Sequence, residues 1–311
     1  ARVVQDWIAR NDTPETVYHL HGWSKILSPS VFRALAPVKA RTILHAHDYF
    51  LACPNGGYFN FQSNTDCALT PLSGACLASA CDKNSRAQKM WRVGREVVRR
   101  QLDRSGGAAA RILTLHPGMI PSLVRGGLPA DRLFAVRNPV VPYCAEPVAA
   151  ETNRKVAFIG RISREKGADL AAEAAKKAGV PIDFIGTGSD VDAVRSINPD
   201  AHFTGWLDEA GLAAAVREAR VVVMPSRWSE PFGLVALEAI GSGIPVIMAD
   251  SALLAPEVAA AGLGHAVAVR DIDAFAGLLN QLAGDDDEIA RMSRAGPAGY
   301  LQFGNTPEGW T

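Results

Sequence analysis

The chain has 311 residues, enough for two domains, and its 48% hydrophobic content promises a sizeable core. Its 32 basic and 32 acidic residues balance, so no global basic field points to nucleic acid as a partner. No apolar run reaches the ~18 residues of a membrane-spanning helix, no secretion signal is visible, and the five cysteines are too sparse for a disulfide scaffold.

The sequence begins at Ala1, and the opening VVQDWIAR reads as the tail of an amphipathic helix, so a preceding segment is expected to be absent. TVYHLHGW, from Thr16 to Trp23, reads as a short strand running into a loop, and 29–36 as a brief helix. RTILHAHDYF, from Arg41 to Phe50, is a second strand ending at His47 and Asp48. Residues 51–82 have no clean period and form a long excursion holding Cys53, Cys67, Cys76 and Cys81. Two readings stay open for these thiols: a metal or disulfide role, weakly signalled because no CxxC pair occurs, or buried free thiols that pack the loop.

Residues 83–104 carry Met90, Val93, Val97, Val98 and Leu102 at helical spacing, with Arg86, Lys89, Arg92, Arg95, Arg99, Arg100 and Arg104 over the remainder. This predicts a helix with a basic outer face, either solvated or lying on an anionic membrane. RILTLHPG at 111–118 is a strand and turn, 119–130 a short helix, and LFAVRNPV at 133–140 a strand with a proline exit. Residues 141–155, with three prolines, are the expected linker between a domain at 1–140 and a second at 156–311.

The second half alternates strand and helix throughout: VAFIG, a helix at 165–178, PIDFIG, AHFTGWL, a helix at 208–219, VVVMPS, a helix at 233–242, IPVIMAD, and two further helices around HAVAV. That is a doubly wound α/β pattern, which binds ligands beyond the carboxyl ends of its strands. Two stretches stand at such ends. In VAFIGRISREKG, Gly160 permits a tight strand exit, while Arg161 and Lys166 supply a planar fork and a point charge for an anion. In PSRWSEPFGLVALEAIGSG, Glu230 and Glu238 flank the turn Pro231-Phe232-Gly233, and the amides of Gly233 and Leu234 open a helix toward an anion. A glutamate accepts two sugar hydroxyls, so one can read a transferred sugar and the other a ribose. Read blandly, Glu230 is solvated and Glu238 belongs to a salt bridge. GTGSD at 186–190 lacks the full dinucleotide fingerprint and reads as a strand-exit turn. Trp206 either packs beside a nucleotide or is an ordinary structural aromatic.

Taken together, FIGRISREKG and the Glu230–x7–Glu238 stretch resemble family 4 of the retaining glycosyltransferases, and HDYFLACP resembles a subgroup of it. The resemblance implies a GT-B architecture: α/β, with two Rossmann-like domains facing across a cleft. On it, 1–140 is an incomplete acceptor-side domain and 156–311 a nucleotide-sugar donor domain. Arg161 and Lys166 match the pair that binds the donor diphosphate, with Gly160 at their turn. Glu230 matches the glutamate near the donor sugar. Phe232, Gly233 and Leu234 match the loop approaching sugar and phosphate, and Glu238 the residue placed for the ribose. His47 matches the histidine facing the transferred sugar, with His21 and Asp48 as candidate acceptor-side positions.

The implied activity is retaining hexosyl transfer from a UDP- or GDP-sugar to a glycan, a lipid-linked intermediate or a small molecule, without a cofactor or resident metal. A cytoplasmic setting at the inner membrane face is expected. Three alternatives remain: a nucleotide-sugar epimerase, an NAD-dependent dehydrogenase, and a non-catalytic scaffold that binds a nucleotide sugar.

Overall fold

A computed structural model describes residues 1–103 and 109–310, which fall into two units, Ala1–Val136 and Arg137–Thr311. The first unit is built on β1 (Tyr18–His21), β2 (Thr42–Ala46), β3 (Phe59–Asn60), β4 (Thr65–Asp66), β5 (Arg111–Thr114) and β6 (Leu133–Ala135). Strands β1, β2, β5 and β6 form a parallel sheet in that order, and β3 and β4 a separate antiparallel hairpin inside the cysteine excursion. Its helices are α1 (Arg2–Asn11), α2 (Trp23–Ile26), α3 (Ser30–Leu35), α4 (Gly74–Ala78), α5 (Arg86–Asp103) and α6 (Ile120–Arg125).

Helix α5 forms where the periodicity predicts it, but its faces are exchanged. Lys89, Val93, Glu96, Arg99 and Asp103 are buried, while Met90, Trp91, Val97 and Val98 are exposed. The cations turn inward because each meets an acceptor there. Arg99 donates to Glu96, to Asp103 and to the Leu51 carbonyl, each at 2.8 Å. Arg100 reaches Glu96 and the Gly126 carbonyl, and Arg92 pairs with Asp82 at 3.2 Å. Arg95 donates to the Ser24 carbonyl and lies over the rings of Trp23 and Phe50. The buried Lys89 ammonium donates to Ser79 and to the Cys76 carbonyl. Most of the expected outer basic face is therefore an internal brace, and α5 exposes Met90, Trp91, Val97 and Val98 beside Arg86 and Gln101. Arg104, expected on the same helix, lies outside the described residues.

The second unit holds β7 (Lys155–Ile159), β8 (Ile182–Ile185), β9 (His202–Gly205), β10 (Ala219–Met224), β11 (Val246–Ala249) and β12 (Gly264–Val267). All pair in parallel, in the order β12-β11-β10-β7-β8-β9. Its helices are α7 (Ala168–Ala178), α8 (Val191–Ile197), α9 (Glu209–Val216), α10 (Leu234–Gly241), α11 (Ala255–Ala260), α12 (Ile272–Gly284), α13 (Asp286–Gly299) and α14 (Pro307–Trp310). Every residue of β8, β10 and β11 is buried, as expected of strands covered on both faces. The core joins Val156 and Phe158 of β7 to Phe184, Val221, Ile247 and Phe275.

The stretch 141–155, expected as a linker, packs onto this second unit, and the boundary falls at Val136. The amide of Val148 donates to the Ser242 carbonyl at 2.8 Å, and that of Val140 to the Asn305 carbonyl at 2.9 Å. Cys144, Val148 and Ala150 are buried. The prolines here break regular structure without freeing the chain. Among the described residues no helix is long and apolar enough to cross a membrane.

Candidate functional site

The order β12-β11-β10-β7-β8-β9 reverses direction between β7 and β10, which makes the crevice beyond their carboxyl ends the switch point where such sheets bind ligands. Both sequence-selected stretches leave the sheet there. After β7 the chain turns at Gly160 (φ 135°), a backbone that side-chain-bearing residues rarely adopt. A single 3-10 turn follows at Arg164–Lys166, and α7 begins only at Ala168. The helix starts three residues later than its periodicity suggests because Gly167 sits at φ 73°, against the carbonyl of Pro225.

That contact joins the two stretches, and side chains reinforce it. Arg227, three residues beyond β10, forms a two-pronged ion pair with Asp169 of α7, with Nη2–Oδ2 at 2.7 Å. Its amide donates to the Glu165 carbonyl and its Nη1 to the Arg164 carbonyl. Neither Arg227 nor Asp169 stood out in the sequence, where nothing signals a pair so far apart.

Lys166 and Glu230 meet directly. The ammonium donates to both carboxylate oxygens, at 2.7 and 2.9 Å, and lies 5.6 Å from the centroid of the Trp228 ring. The Ser226 hydroxyl donates to the same carboxylate at 2.8 Å. Arg161 is the contrasting cation: its side chain is 63% exposed and its nearest charge is Glu165, 3.7 Å away. Beyond Glu230, the buried Phe232 anchors the turn, and Gly233 (φ 77°) sits at the head of α10 with no side chain capping it. The first amides of a helix have no intrahelical acceptor, so this uncapped end offers donors and a positive dipole to an anion.

Glu238, one turn into α10, is half-buried, and burial pushes its carboxyl up to about 7. The Tyr143 hydroxyl hydrogen-bonds to it, and burial together with that carboxylate raises the phenol above its ordinary range. Tyr143 comes from the stretch read as a linker, and nothing in the local pattern pairs it with Glu238. Beside the switch point, Gly160, Arg161, Gly186, Thr187, Trp206 and Leu212 line an open pocket of about 340 Å³. Trp206 is 77% exposed at its rim, so its ring is not committed to the core.

In the first unit, four of the chain's seven histidines gather at the ends of β1 and β2. His21 and His45 are register partners. Nδ1 of His21 and Nε2 of His47 lie 2.8 Å apart. Burial lowers His45 to about 3 and His47 to about 4, so both rings are neutral at physiological pH. Asp48 accepts from the Phe50 amide at 3.0 Å, which turns the chain away from the strand. His19 and His45, unselected in the sequence, belong to this group. The strict alternation His19–His21 and His45–His47 was the signal available for them.

Cys53, Cys67, Cys76 and Cys81 are free and line one cavity with Asn55, Tyr58 and Lys89. The Cys53 thiol donates to Asn55 Oδ1 at 3.1 Å, and Asn55 Nδ2 donates to Cys81 Sγ at 3.3 Å. Burial raises the Cys53 thiol to about 11, which keeps it protonated. Among the described residues the group whose ligand atoms lie within 4.8 Å of one another is His19, His21 and His45, not the cysteines.

Residues 145–298 match the family of glycosyl transferases group 1. The chain is 26% identical to glycogen synthase of Mycobacterium tuberculosis over 276 residues, which cover 81% of this chain and 63% of that protein. It is 34% identical over 214 residues to D-inositol 3-phosphate glycosyltransferase of Mycolicibacterium paratuberculosis, covering 62% and 44% respectively. The chain thus spans less than two thirds of the length of either relative. Among solved structures, Anabaena HepE in complex with UDP superposes with a TM-score of 0.66 at 15% identity, over 97% of this chain and 77% of that one. At that identity the likeness is one of fold, and the fold is the GT-B α/β architecture.

Proposed function

Since residues 145–298 match the glycosyl transferases group 1 family, we propose that this protein transfers a hexosyl group from a nucleoside-diphosphate sugar to a hydroxyl acceptor with retention at the anomeric carbon. The observation that carries the reading is the joining of Lys166 and Glu230, at 2.7 Å, where the strand order reverses beside the uncapped start of α10. A cation, a carboxylate and free helix amides at one point fit a sugar linked to a diphosphate.

In this reading the nucleobase enters the pocket lined by Gly186, Thr187 and Trp206, with the Trp206 ring as its stacking surface. Glu238 accepts the ribose hydroxyls. The diphosphate lies between Arg161, Lys166 and the amides of Gly233 and Leu234, and Glu230 takes hydroxyls of the sugar. As the bond from the anomeric carbon to the diphosphate oxygen breaks, charge grows on that oxygen and the two cations and the helix end stabilise it. The acceptor oxygen bonds to the same face of the anomeric carbon, and its proton passes to the departing phosphate oxygen. His47 orients the sugar, and His21 and Asp48 serve the acceptor side. The complex of HepE with UDP favours a uridine donor over a guanosine one. The acceptor class is a glycan or a small polyhydroxylated molecule.

Calorimetric titration with UDP and GDP tests this directly. UDP is expected to bind at one site per chain, and Arg161→Ala to weaken it about ten- to hundred-fold, the loss of a charge-assisted contact. Anomeric NMR of the product then reads the stereochemistry. Binding of neither nucleotide, or a product of inverted configuration, would remove the proposal.

A further inference from the structure

The excursion at 51–82 is a part of the first unit that sugar transfer does not use. We propose that Cys53, Cys67, Cys76 and Cys81 bind one thiophilic divalent cation, zinc foremost, as a structural centre that cross-links the excursion.

Four separate segments bring the thiols to one place. Cys53 lies in a turn beyond β2, Cys67 directly after β4, Cys76 in α4 and Cys81 just beyond it. Backbone bonds hold each segment. The Cys53 amide donates to the Tyr49 carbonyl at 2.8 Å, the Cys67 amide to the Tyr58 carbonyl at 2.7 Å and the Phe61 amide to the Cys81 carbonyl at 3.1 Å. The Cys76 amide donates to the Ser73 hydroxyl at 3.2 Å. All four side chains line one cavity, with Cys53, Cys76 and Cys81 buried and Cys67 half-buried. The cavity holds about 10 Å³, room for a single atom-sized body and too little for an iron–sulfur cluster. Cys76 and Cys81 are separated by four residues, within the usual spacing of paired zinc ligands.

Lys89 is the second, independent sign. Its side chain lines the same cavity and is 2% exposed. Its ammonium donates to the carbonyls of Cys76 and Ser79 and to the Ser79 hydroxyl, all of them neutral groups. Buried charges are ordinarily paired, and a metal held by thiolates supplies the missing anion. The charges balance as follows: four thiols and one divalent cation give a tetrathiolate of charge −2 and release four protons, and Lys89 brings the buried group to −1.

Zinc–sulfur bonds of ~2.3 Å set tetrahedral sulfurs ~3.8 Å apart. No three of these sulfurs lie within 4.8 Å of one another, so coordination draws the segments inward. The Asn55 carboxamide stands between two of them: its Oδ1 accepts from the Cys53 thiol at 3.1 Å and its Nδ2 donates to Cys81 Sγ at 3.3 Å. The first bond leaves with the thiol proton. The second is the kind of outer contact that steadies a metal-bound sulfur. The amides of Tyr58, Asn55 and Gly56 are turned toward Cys53 Sγ and serve the same end. Thiolates select zinc and its neighbours over magnesium and calcium, which prefer oxygen.

The test uses the full chain without a histidine tag, stripped with a chelator under anaerobic reductant until all five cysteines titrate as free thiols. Co²⁺ is followed by absorption and Zn²⁺ by calorimetry in two buffers of different ionisation enthalpy. One equivalent is expected to bind, with visible bands of tetrahedral intensity, a thiolate-to-cobalt band in the near ultraviolet and release of about four protons per ion. Zn²⁺ should displace Co²⁺, and Mg²⁺ should not compete. Cys76→Ser and Cys81→Ser should each weaken binding about hundred-fold and lower the near-ultraviolet band by about a quarter. Cys144→Ser, in the second unit, should change neither. Amide exchange over β2 and β5 reports whether the first unit is folded in each variant. In the unaltered chain, Zn²⁺ should slow exchange across 53–81 at least tenfold. Absence of saturable binding would overturn the proposal, as would a cobalt spectrum without the thiolate band, which would place the metal on imidazoles. An undiminished band in both folded serine variants, or exchange across 53–81 that Zn²⁺ leaves unchanged, would overturn it too. None of these readouts depends on nucleotide-sugar transfer.

Discussion

Lys166 gives two of its three donors to Glu230, so a bound diphosphate must share the ammonium with that carboxylate. Removing either partner therefore has unequal effects. On the proposed binding mode, Lys166→Ala deletes a phosphate contact and leaves Glu230 with the Ser226 hydroxyl, so affinity for UDP should fall about ten- to hundred-fold. Glu230→Gln keeps the cation and relieves it of a competitor, so UDP should bind as well or better while sugar transfer is lost. Titration with UDP beside a turnover assay separates the two; equal loss of UDP affinity in both variants would mean that Glu230 does not serve the sugar. Glu238 adds a pH signature. Burial holds its carboxyl near 7, and ribose hydroxyls donate best to the ionised form. UDP affinity should thus rise between pH 6 and pH 8 and become flat in Glu238→Gln. The linkage to folding runs oppositely. The folded group keeps its proton above the ordinary value of 4.5, so between there and about 7 the native state binds more protons and stability falls as pH rises.

At the scale of elements, the second unit was legible because its strands are covered on both faces and read as apolar runs between helical periods. The residues of the switch point were legible for a related reason: glycines at strand ends stand out. What was not legible was pairing at long range, such as Lys166 with Glu230, Arg227 with Asp169 and Tyr143 with Glu238, since nothing local marks them. Helix α5 shows a second limit. Its apolar spacing is genuine, yet its cations are drawn inward by carbonyls and carboxylates from other segments, and that drawing in decides which face is buried. Arg99→Ala should therefore cost about 3–5 kcal/mol in denaturant unfolding, because it removes a buried guanidinium that pairs with both Glu96 and Asp103; a change below 1 kcal/mol would show that the brace adds nothing. The turn before α7 gives an internally controlled case. Gly167 and Gly179 have nearly equal φ, 73° and 67°, but a Cβ at Gly167 would lie 1.9 Å from the Pro225 carbonyl oxygen, and one at Gly179 meets nothing within 4 Å. Both changes to alanine incur the left-handed strain, of roughly 1 kcal/mol. Gly167→Ala alone must also separate the β7 and β10 loops, so it should lose more stability and weaken UDP binding. Equal stability losses with UDP affinity untouched would show that the close approach is not what aligns the site.

For the whole molecule, the two sheets share no strand among the described residues, and the core about Phe158, Phe184 and Phe275 is drawn entirely from the second unit. Each sheet also has its own helices. A ligand stabilises only the cooperative unit whose unfolding destroys its site. The pocket proposed for the nucleotide is lined by residues of the second unit alone, so UDP should protect that unit selectively. At a free concentration one hundred times Kd the added stability is about 2.7 kcal/mol, close to a hundred-fold slowing of exchange that proceeds through full opening of the unit. Amide hydrogen exchange read by peptide distinguishes the cases. Peptides over β7, β10 and β11 should slow by that factor when UDP is added, while those over β2 and β5 keep their rates. Equal slowing of β2 and β5 would show that the chain opens as one cooperative body despite its two sheets. Slowing confined to the Gly160 and Gly233 turns would mean instead that the core strands exchange through local openings that leave the nucleotide bound.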